Sequence, residues 1–306
     1  MGGSGGGRYY GPSSPELQRK IEQTQAEERQ RLDGDVNTML YKLLAKFNDR
    51  DINATKKHLA QVEEVLGDVV EVDKILFGGS IAKHTDIDGI SDVDALVILN
   101  QGNLSGKSPR RLLDAFFSAL NISMPRSEVK SIEKGRLAVT VKYNDDSEIQ
   151  LLPALRSGQT ISIASNDGIH WNDTKPQIFQ RDLTRANTRL NQCLVPAIKL
   201  MKSIVADFPE QKKLSGYHIE ALALDSATRY HGPSTPKAVL LHLLGDSANR
   251  VLRPITDATG QSRTLDSHLG GENSIERRNV SQALAGIKRR LESATTVAQW
   301  SAVFGE

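Results

Sequence analysis

Two short motifs in the sequence combine side chains that suit phosphoryl transfer. The first is a turn, Gly78-Gly79-Ser80, which follows the short apolar run Asp73–Phe77. The second is Asp92-Val93-Asp94, which begins twelve residues after the serine and opens an apolar run that ends at Leu99. Aspartates at positions i and i+2 of a strand lie on the same face, so their carboxylates can bind hard cations together. The spacing therefore predicts a metal site beside a phosphate-binding turn.

The surroundings of the two aspartates indicate which metal is expected. Asp92 and Asp94 open a strand that is otherwise apolar, where carboxylates are costly without a counter-charge. Mg²⁺ supplies that charge, with Mn²⁺ as the alternative metal. The backbone N–H groups of residues 81–85 and the Ser80 hydroxyl can cradle a phosphate. Either motif alone is common, but with Gly79 and Ser80 in this order before the aspartates the pair is rare by chance and favours phosphoryl transfer.

Composition argues against several other classes of protein. The single cysteine, Cys193, permits neither an internal disulfide nor a cysteine-based zinc site, which fits a reducing cytoplasm. The net charge of +2 and the aromatic content of 5% disfavour binding to long nucleic acids. No run approaches the roughly 18 apolar residues that a membrane span needs, so no membrane partner is expected.

The periodicity of apolar residues predicts an α+β chain, with a mixed sheet between helical segments. Residues 1–14 are rich in glycine and serine and are expected to form a flexible tail. An N-terminal helical segment is predicted over 15–70, a mixed α/β unit with both motifs over 71–160, and a helical lobe over 161–306. In detail, helices are predicted over 15–45 (divided near Gly34), 51–66, 109–120, 180–206, 214–230, 235–250 and 275–294, and strands over 73–77, 93–99, 137–143 and 148–152. Strand signals fade after Pro153.

The order of these motifs resembles the nucleotidyltransferase superfamily that includes DNA polymerase β. More closely, it is similar to the bacterial cGAS/DncV-like nucleotidyltransferases, or CD-NTases. The resemblance covers residues 70–300 and extends over the segments EIQLLPA (148–154), PAIKLMK (196–202), LSGYHIEALA (214–223) and PITDATGQS (254–262). It implies that residues 71–160 form a polymerase-β-like palm and that the helical lobe completes a nucleotide pocket.

The resemblance also implies an activity. CD-NTases join nucleoside triphosphates, ATP among them, into cyclic di- or trinucleotide second messengers for anti-phage defence, and they release pyrophosphate. Some members are switched on by a partner protein encoded nearby. We therefore expect a cytoplasmic enzyme that depends on Mg²⁺.

The third acid of the family's metal site departs from the expected pattern. By register with Leu-Pro-Ala, it falls at Gln150, whose neutral amide is a poor Mg²⁺ ligand. Glu148, two residues earlier on the same strand face, is the candidate substitute, and the alternative is that it is an ordinary solvent-facing hairpin residue. If neither residue serves, Asp92 and Asp94 hold the metals with the nucleotide's phosphates, and activity is low or depends on a partner.

Other candidate ligands for the nucleotide come from the helical lobe. The resemblance assigns a lysine of residues 196–202 to the donor triphosphate, and Lys199 and Lys202 lie three apart on one helix face. The alternative is that both are solvated surface lysines. Ser215 is a candidate donor to a phosphate. Tyr217 is a candidate stacking partner for a base, or else a buried core aromatic.

Three functions remain open from the sequence. The leading one is synthesis of a cyclic di- or trinucleotide, with Asp92, Asp94 and Glu148 as catalytic and metal-binding residues. The same palm could instead transfer a nucleotide to RNA or to a protein. Gln150 in place of an acid also suits a non-catalytic nucleotide sensor.

Overall fold

The computed structural model describes residues 15–48, 52–68, 70–87, 93–100, 108–158, 160–165, 167–174, 176–257 and 264–306. Within these ranges the chain forms nine α-helices and a seven-stranded mixed sheet, so the predicted α+β fold class is confirmed. The predicted tail over 1–14, the catalytic candidate Asp92 and part of the segment 254–262 lie outside the described residues. Among those described, no helix has both the length and the apolar character that a membrane crossing requires.

The elements have the following bounds. The strands are β1 (Val72–Phe77), β2 (Val93–Asn100), β3 (Val129–Lys134), β4 (Val139–Tyr143), β5 (Glu148–Ser157), β6 (Thr160–Ala164) and β7 (Trp171–Thr174). The helices are α1 (Pro15–Lys46), α2 (Ile52–Gly67), α3 (Pro109–Ser123), α4 (Pro176–Arg189), α5 (Leu194–Ala206), α6 (Gly216–Ala227), α7 (Pro236–Arg250), α8 (Ile275–Glu292) and α9 (Val297–Ser301).

Strand β5 is the centre of the sheet. The strand order is β1-β2-β5-β4-β3, and β6 pairs with both β5 and β7. On one side β5 runs parallel to β2, with Asp94 opposite Gln150 in register. On its other side it pairs antiparallel first with β4 and then with β6. This register places the second aspartate of the motif directly beside the position of the missing acid.

Strand β5 is longer than predicted, and strands β3, β6 and β7 were not predicted. Pro153 suggested the end of a strand because proline cannot donate to a ladder. It lies where β5 changes partner from β4 to β6, so the missing N–H group is tolerated and the strand continues to Ser157. Strand β6 alternates polar and apolar residues but is only five residues long, and β7 is shorter still. Strand β3 is an edge strand with mostly polar residues.

The helices differ from the predictions at two places. Helix α1 continues through Gly34, because a single glycine costs an exposed helix only about 1 kcal/mol. The helix predicted over 180–206 is two helices, α4 and α5. Between them Asn191 and Gln192 have φ values of 48° and 63°, a left-handed conformation that ends a helix.

The buried residues form two main hydrophobic cores. One lies between the sheet and helices α2 and α3, and the other fills the helical lobe. The C-terminal half of α1 packs in the lobe core through Val36, Leu40, Leu43 and Leu44, so the two helices predicted as one N-terminal segment belong to different cores. Alternate residues of β2, such as Val93 and Ala95, face the sheet core, which turns Asp94 to the opposite face.

Candidate functional site

Most of the residues singled out from the sequence meet at one cavity. It has a volume of about 400 Å³ and lies between the sheet and helices α5 and α6. Its lining includes Gly79, Ser80, Asp94, Gln150, Lys202 and Tyr217, all discussed from the sequence, and Lys83 and Glu220, which were not. We call it the nucleotide cavity. Asp92 lies outside the described residues, so its place relative to this cavity stays a prediction.

The turn after β1 is built around the carboxylate of Asp94. The backbone N–H of Gly78 donates to the carbonyl oxygen of Asp94 at 2.7 Å, which holds the turn against β2. Gly79 has a φ of 51°, a left-handed conformation that glycine adopts without strain. A β-carbon at this position would lie 1.7 Å from Asp94 Oδ2. Glycine is therefore required here, because the carboxylate takes the space of a side chain.

Gln150 rather than Glu148 faces the nucleotide cavity. Gln150 lies beside Asp94 in the parallel register and lines the cavity with it. Glu148 is half-buried at the start of β5, opposite Lys142 of β4, and is not part of the lining. Glu148 therefore lies outside the described lining, and its two predicted roles, third acid or ordinary hairpin residue, both stay predictions.

The side chains of Asp94 and Gln150 together suit a hard cation. A carboxylate oxygen of Asp94 and the amide oxygen of Gln150 are both oxygen donors, the type that Mg²⁺ and Mn²⁺ prefer. Among the described residues no group of three or more His, Cys, Asp or Glu side chains is arranged to hold a metal. The site therefore fits a metal only with Asp92, or with oxygens of a bound phosphate, as further ligands.

A buried cluster of charged side chains forms part of the wall of the nucleotide cavity. Glu220, 1% exposed, forms ion pairs with both Lys83 and Lys202, the second at 2.8 Å. Thr85 donates its hydroxyl hydrogen to Glu220 and accepts from the Lys202 ammonium, at 2.9 Å on its carbonyl oxygen and 3.2 Å on its hydroxyl. We call these four residues the Glu220 cluster. With two cations and one anion, it presents a net positive charge.

The protonation states support that charge. Burial raises the pKa of Glu220, but the ammonium groups of Lys202 and Lys83 outweigh it, so its pKa lies below the ordinary value. Burial also lowers the pKa of Lys202, and Glu220 partly opposes this shift. The carboxylate is therefore ionised at neutral pH, and the cluster is an electropositive surface suited to phosphate oxygens.

Lys83 is the lysine that the sequence reasoning missed. It ends the short 3₁₀ turn Ile81–Lys83, and its Nζ lies 5.2 Å from the ring centroids of both Phe179 and Tyr217. A cation held over two aromatic faces is attracted by both rings. The signal was present, since Lys83 is the one lysine in the segment 81–85. The phosphate-binding role predicted for that segment rested on its backbone N–H groups alone.

Lys199 does not line the nucleotide cavity, contrary to the expectation that it acts with Lys202. Its Nζ donates to Asn48 Oδ1 at 2.5 Å and lies 3.9 Å from Asp86 Oδ1, in a second cavity. The two lysines are three positions apart on α5, but Lys202 contacts Thr85 and Glu220 whereas Lys199 contacts Asn48 and Asp86. Both are buried, so the alternative of two solvated surface lysines is also wrong.

Ser215 and Tyr217 stand at the N-terminus of α6. Ser215 caps the helix by accepting the backbone N–H of His218 at 3.2 Å, and Gly216 rather than Ser215 lines the cavity. The Tyr217 hydroxyl donates to Asp257 at 2.8 Å, and its ring meets Phe179 edge-on at 5.1 Å. The tyrosine ring is therefore fixed in the cavity wall.

A smaller apolar cavity adjoins the nucleotide cavity across Gly79, Lys83 and Tyr217. Its volume is about 280 Å³, and Leu76, Leu96, Ile161 and Phe179 contribute most of its apolar surface. Both cavities lie on the face of the sheet that carries Asp94. A polar compartment with cations thus opens beside an apolar one with aromatic rings, which is the division that a nucleotide needs for its phosphates and its base.

Comparison with known proteins identifies one domain of the chain. Residues 43–187 match the family described as the Second Messenger Oligonucleotide or Dinucleotide Synthetase domain, abbreviated SMODS. This chain carries a SMODS domain. The match confirms the resemblance to the CD-NTases and makes the chain a nucleotidyltransferase of the kind that synthesises cyclic oligonucleotides. Comparison with curated protein sequences gives no match.

Solved structures show the same fold around the SMODS domain. CdnC of E. coli MS115-1 with ATP is 15% identical, with a TM-score of 0.64 over 83% of this chain and 90% of CdnC. The CD-NTase CdnG of Bradyrhizobium diazoefficiens with GTP is 14% identical, with a TM-score of 0.65 over 88% and 95%. Vibrio cholerae DncV, a cyclic AMP-GMP synthase, is 14% identical, with a TM-score of 0.57 over 95% and 90%.

Proposed function

We propose that this SMODS protein is a Mg²⁺-dependent enzyme that joins nucleoside triphosphates, ATP among them, into a cyclic di- or trinucleotide. The observation that carries the proposal is the Asp94 carboxylate, held over the Gly79–Ser80 turn and facing the Glu220 cluster across one cavity. An acid at one side and a net positive surface at the other suit a metal–triphosphate complex, which carries both signs of charge. The CdnC complex with ATP supports ATP as a substrate.

The metal ligands proposed are Asp94 and, from the sequence, Asp92. Mg²⁺, or Mn²⁺ in its place, would neutralise charge on the phosphate oxygens and make the attacking hydroxyl more acidic when bound. Gln150 would be a further metal ligand, through its neutral amide oxygen. Glu148 stays a proposed third ligand, although it does not line the described part of the cavity.

The remaining residues bind and orient the triphosphate. Backbone N–H groups of the turn at Gly79 and Ser80 donate to phosphate oxygens, and Lys83 and Lys202 offset their negative charge. In this arrangement the 3′-hydroxyl of the acceptor nucleotide gives its proton to water, and its oxygen bonds to the α-phosphorus of the donor as the bond to pyrophosphate breaks. Pyrophosphate leaves with the electron pair of that bond. The adjoining apolar cavity, with Phe179 and Tyr217, accepts a base.

The biological role proposed is that of a second-messenger synthase in anti-phage defence, acting in the cytoplasm. A complex of E. coli CdnC with HORMA-deltaN supports the idea that a protein of this fold works with a partner. We propose that an activating protein encoded nearby serves this chain, and that neither a membrane nor a long nucleic acid is a partner.

Replacement of Asp94 tests the activity. Asp94→Asn should abolish formation of a cyclic product from NTPs and Mg²⁺, while the melting temperature stays constant or rises because a carboxylate on a mostly apolar strand is neutralised. Asp114→Asn, an exposed aspartate of α3 paired with Lys134, is the matched control and should keep full activity. Mass spectrometry of the products is the measurement, and turnover retained by Asp94→Asn would overturn the assignment.

The same incubation separates the competing functions. A labelled RNA or protein would indicate nucleotide transfer to a macromolecule. Gln150 favours one further candidate, a nucleotide sensor without catalysis, because it puts an amide beside Asp94 where an acid is expected. That function would show nucleotide binding without any product, both alone and with the protein encoded nearby.

A further inference from the structure

Asp257 is a buried acid that contacts the wall of the nucleotide cavity from outside. The residue is 6% exposed, and it lines neither the nucleotide cavity nor the apolar cavity. Its Oδ1 atom accepts a hydrogen bond from the Tyr217 hydroxyl at 2.8 Å, although the two residues are 40 positions apart. Burial of a polar group is costly unless it is hydrogen-bonded, so this contact stabilises the pair where it lies.

A second buried acid fixes the backbone that carries Asp257. The Asp266 carboxylate accepts from the backbone N–H of Ile255 at 3.2 Å and from the Arg277 guanidinium at 2.7 Å. Arg277 also donates to two carbonyl oxygens of the segment 251–253, at 3.0 and 3.2 Å. Asp266 and Arg277 are both fully buried. The segment that leads to Asp257 is therefore held at several points before it reaches that residue.

The ring that Asp257 contacts belongs to the walls of both cavities. Tyr217 lines the nucleotide cavity and the apolar cavity, and its ring meets Phe179 edge-on. The Lys83 ammonium lies 5.2 Å from the centre of the Tyr217 ring, but it is also ion-paired with Glu220. The position of Lys83 therefore does not depend on the ring alone.

A tyrosine ring in a fixed orientation favours the binding of a flat base. Tyrosine suits this role because its ring is apolar and its hydroxyl can be held by a polar group. A side chain that is already held in its bound orientation loses less conformational entropy when a ligand binds. The contact with Asp257 thus acts on the part of the ligand that packs against the ring, which is the base and not the phosphates.

We propose that Asp257 is a positioning residue for the nucleotide base and acts through the Tyr217 hydroxyl. The inference rests on the proposed function in one respect, namely that Tyr217 and the apolar cavity accept the base. Asp257 itself touches neither the base nor the phosphates. It affects a nucleoside triphosphate, whose base packs against the ring, and does not affect inorganic tripolyphosphate, which contacts the turn and the Glu220 cluster.

Calorimetric titration of the whole protein with two ligands, a non-hydrolysable ATP analogue and inorganic tripolyphosphate, each with Mg²⁺, tests this role. Asp257→Ala and Tyr217→Phe should each weaken binding of the ATP analogue by about tenfold, the effect of one lost hydrogen bond. The affinity for tripolyphosphate should stay within about twofold of wild type, because Lys83 and Lys202 keep their pairing with Glu220.

Three results of these titrations would overturn the proposal. They are wild-type affinity for the ATP analogue in Asp257→Ala, equal losses for both ligands, which indicate a purely structural role, and a wild-type protein that does not bind the analogue. The last result would also refute the proposed function. Binding of the analogue without formation of any cyclic product from NTPs would refute the synthase activity alone, since the role of Asp257 is measured by affinity.

A double-mutant cycle shows whether Asp257 acts through the hydroxyl. Asp257→Ala combined with Tyr217→Phe should cost the same factor of about ten as either change alone, whereas a loss of about a hundredfold would mean independent effects and contradict the proposal. Asp257→Asn, whose amide oxygen can still accept, should bind the analogue more tightly than Asp257→Ala. Tyr230→Phe is the matched control, because it removes a tyrosine hydroxyl that donates to the Pro233 carbonyl oxygen, and it should bind both ligands like wild type.

Discussion

The carboxylate of Asp94 occupies the space that a side chain at residue 79 would need. A β-carbon on Gly79 would lie 1.7 Å from Asp94 Oδ2 and 2.6 Å from its Cγ. The left-handed φ of 51° at the same residue adds backbone strain for any other amino acid. The turn proposed to bind phosphate and the acid proposed to bind metal therefore depend on each other's geometry.

Gly79→Ala should remove activity and destabilise the protein. The added methyl group must push the Asp94 carboxylate aside, and the left-handed conformation costs roughly 1–2 kcal/mol for alanine. Gly34→Ala is the matched control, because it lies inside α1 with nothing within 4 Å of the added carbon. It should raise the free energy of unfolding by about 0.5–1 kcal/mol. Denaturant unfolding and product assays check both, and wild-type activity in Gly79→Ala would contradict the close fit.

Gln150→Asp should lower the Mg²⁺ concentration that gives half-maximal activity. It places a carboxylate next to Asp94, where the family pattern expects an acid, and we expect a rate gain of about tenfold, or 1.4 kcal/mol of barrier. Glu148→Gln, on the same strand face but outside the cavity, should change the rate less than twofold. A tenfold loss in Glu148→Gln would restore that residue to the role of third acid.

Lys83→Met should weaken the binding of NTP by about 1.5–3 kcal/mol, the usual cost of a lost hydrogen bond to a charged group. Lys199→Met is the control, because it removes a buried lysine that lines the second cavity and not the nucleotide cavity. It should leave NTP affinity within twofold of wild type. Titration with a non-hydrolysable ATP analogue measures the affinity of both variants. Equal losses of affinity would contradict the assignment of NTP binding to the nucleotide cavity alone.

Glu220→Gln should flatten the acid dependence of stability. The folded-state pKa of Glu220 is below its ordinary value, so its ionisation stabilises the fold above the unfolded pKa, and this stabilisation is lost as the pH falls through the folded-state value. At pH 7 the variant should be less stable by about 3–5 kcal/mol, since Lys202 is left without its buried partner. Melting curves from pH 7 to acid are the measurement. Glu210→Gln, an exposed glutamate, should match wild type.

The parts of the site that could be predicted are those that lie close together in the sequence. Gly79 and Asp94 were found because the turn and the strand are short and their spacing restricts the geometry. The Lys83–Glu220 pair joins residues 137 positions apart, and it depends on how α6 packs against the turn. Helical periodicity grouped Lys199 with Lys202, but it does not report that their ammonium groups contact different residues in different cavities.

The fold shows the same limit. Amphipathic helices and buried strands were predicted within a few residues, because burial of one face imposes a period on the sequence. Strand β3 was missed because an edge strand buries little, and β5 was shortened because Pro153 signals a break wherever the partner strand is unknown. The change of partner along β5 is a tertiary property, which no local pattern records.

The Glu220 cluster also forms a seam between two halves of the molecule. Lys83 and Thr85 come from the segment that follows the first strand of the sheet, and Lys202 and Glu220 come from the helical lobe, which has a separate hydrophobic core. Charges rather than apolar contacts join the halves at this point, and because these side chains are buried, added electrolyte screens them much less than it screens exposed ion pairs. A triphosphate is itself a concentrated polyanion. Its arrival redistributes the charges of the seam, so substrate binding and the mutual orientation of the halves are governed by the same few ionic contacts.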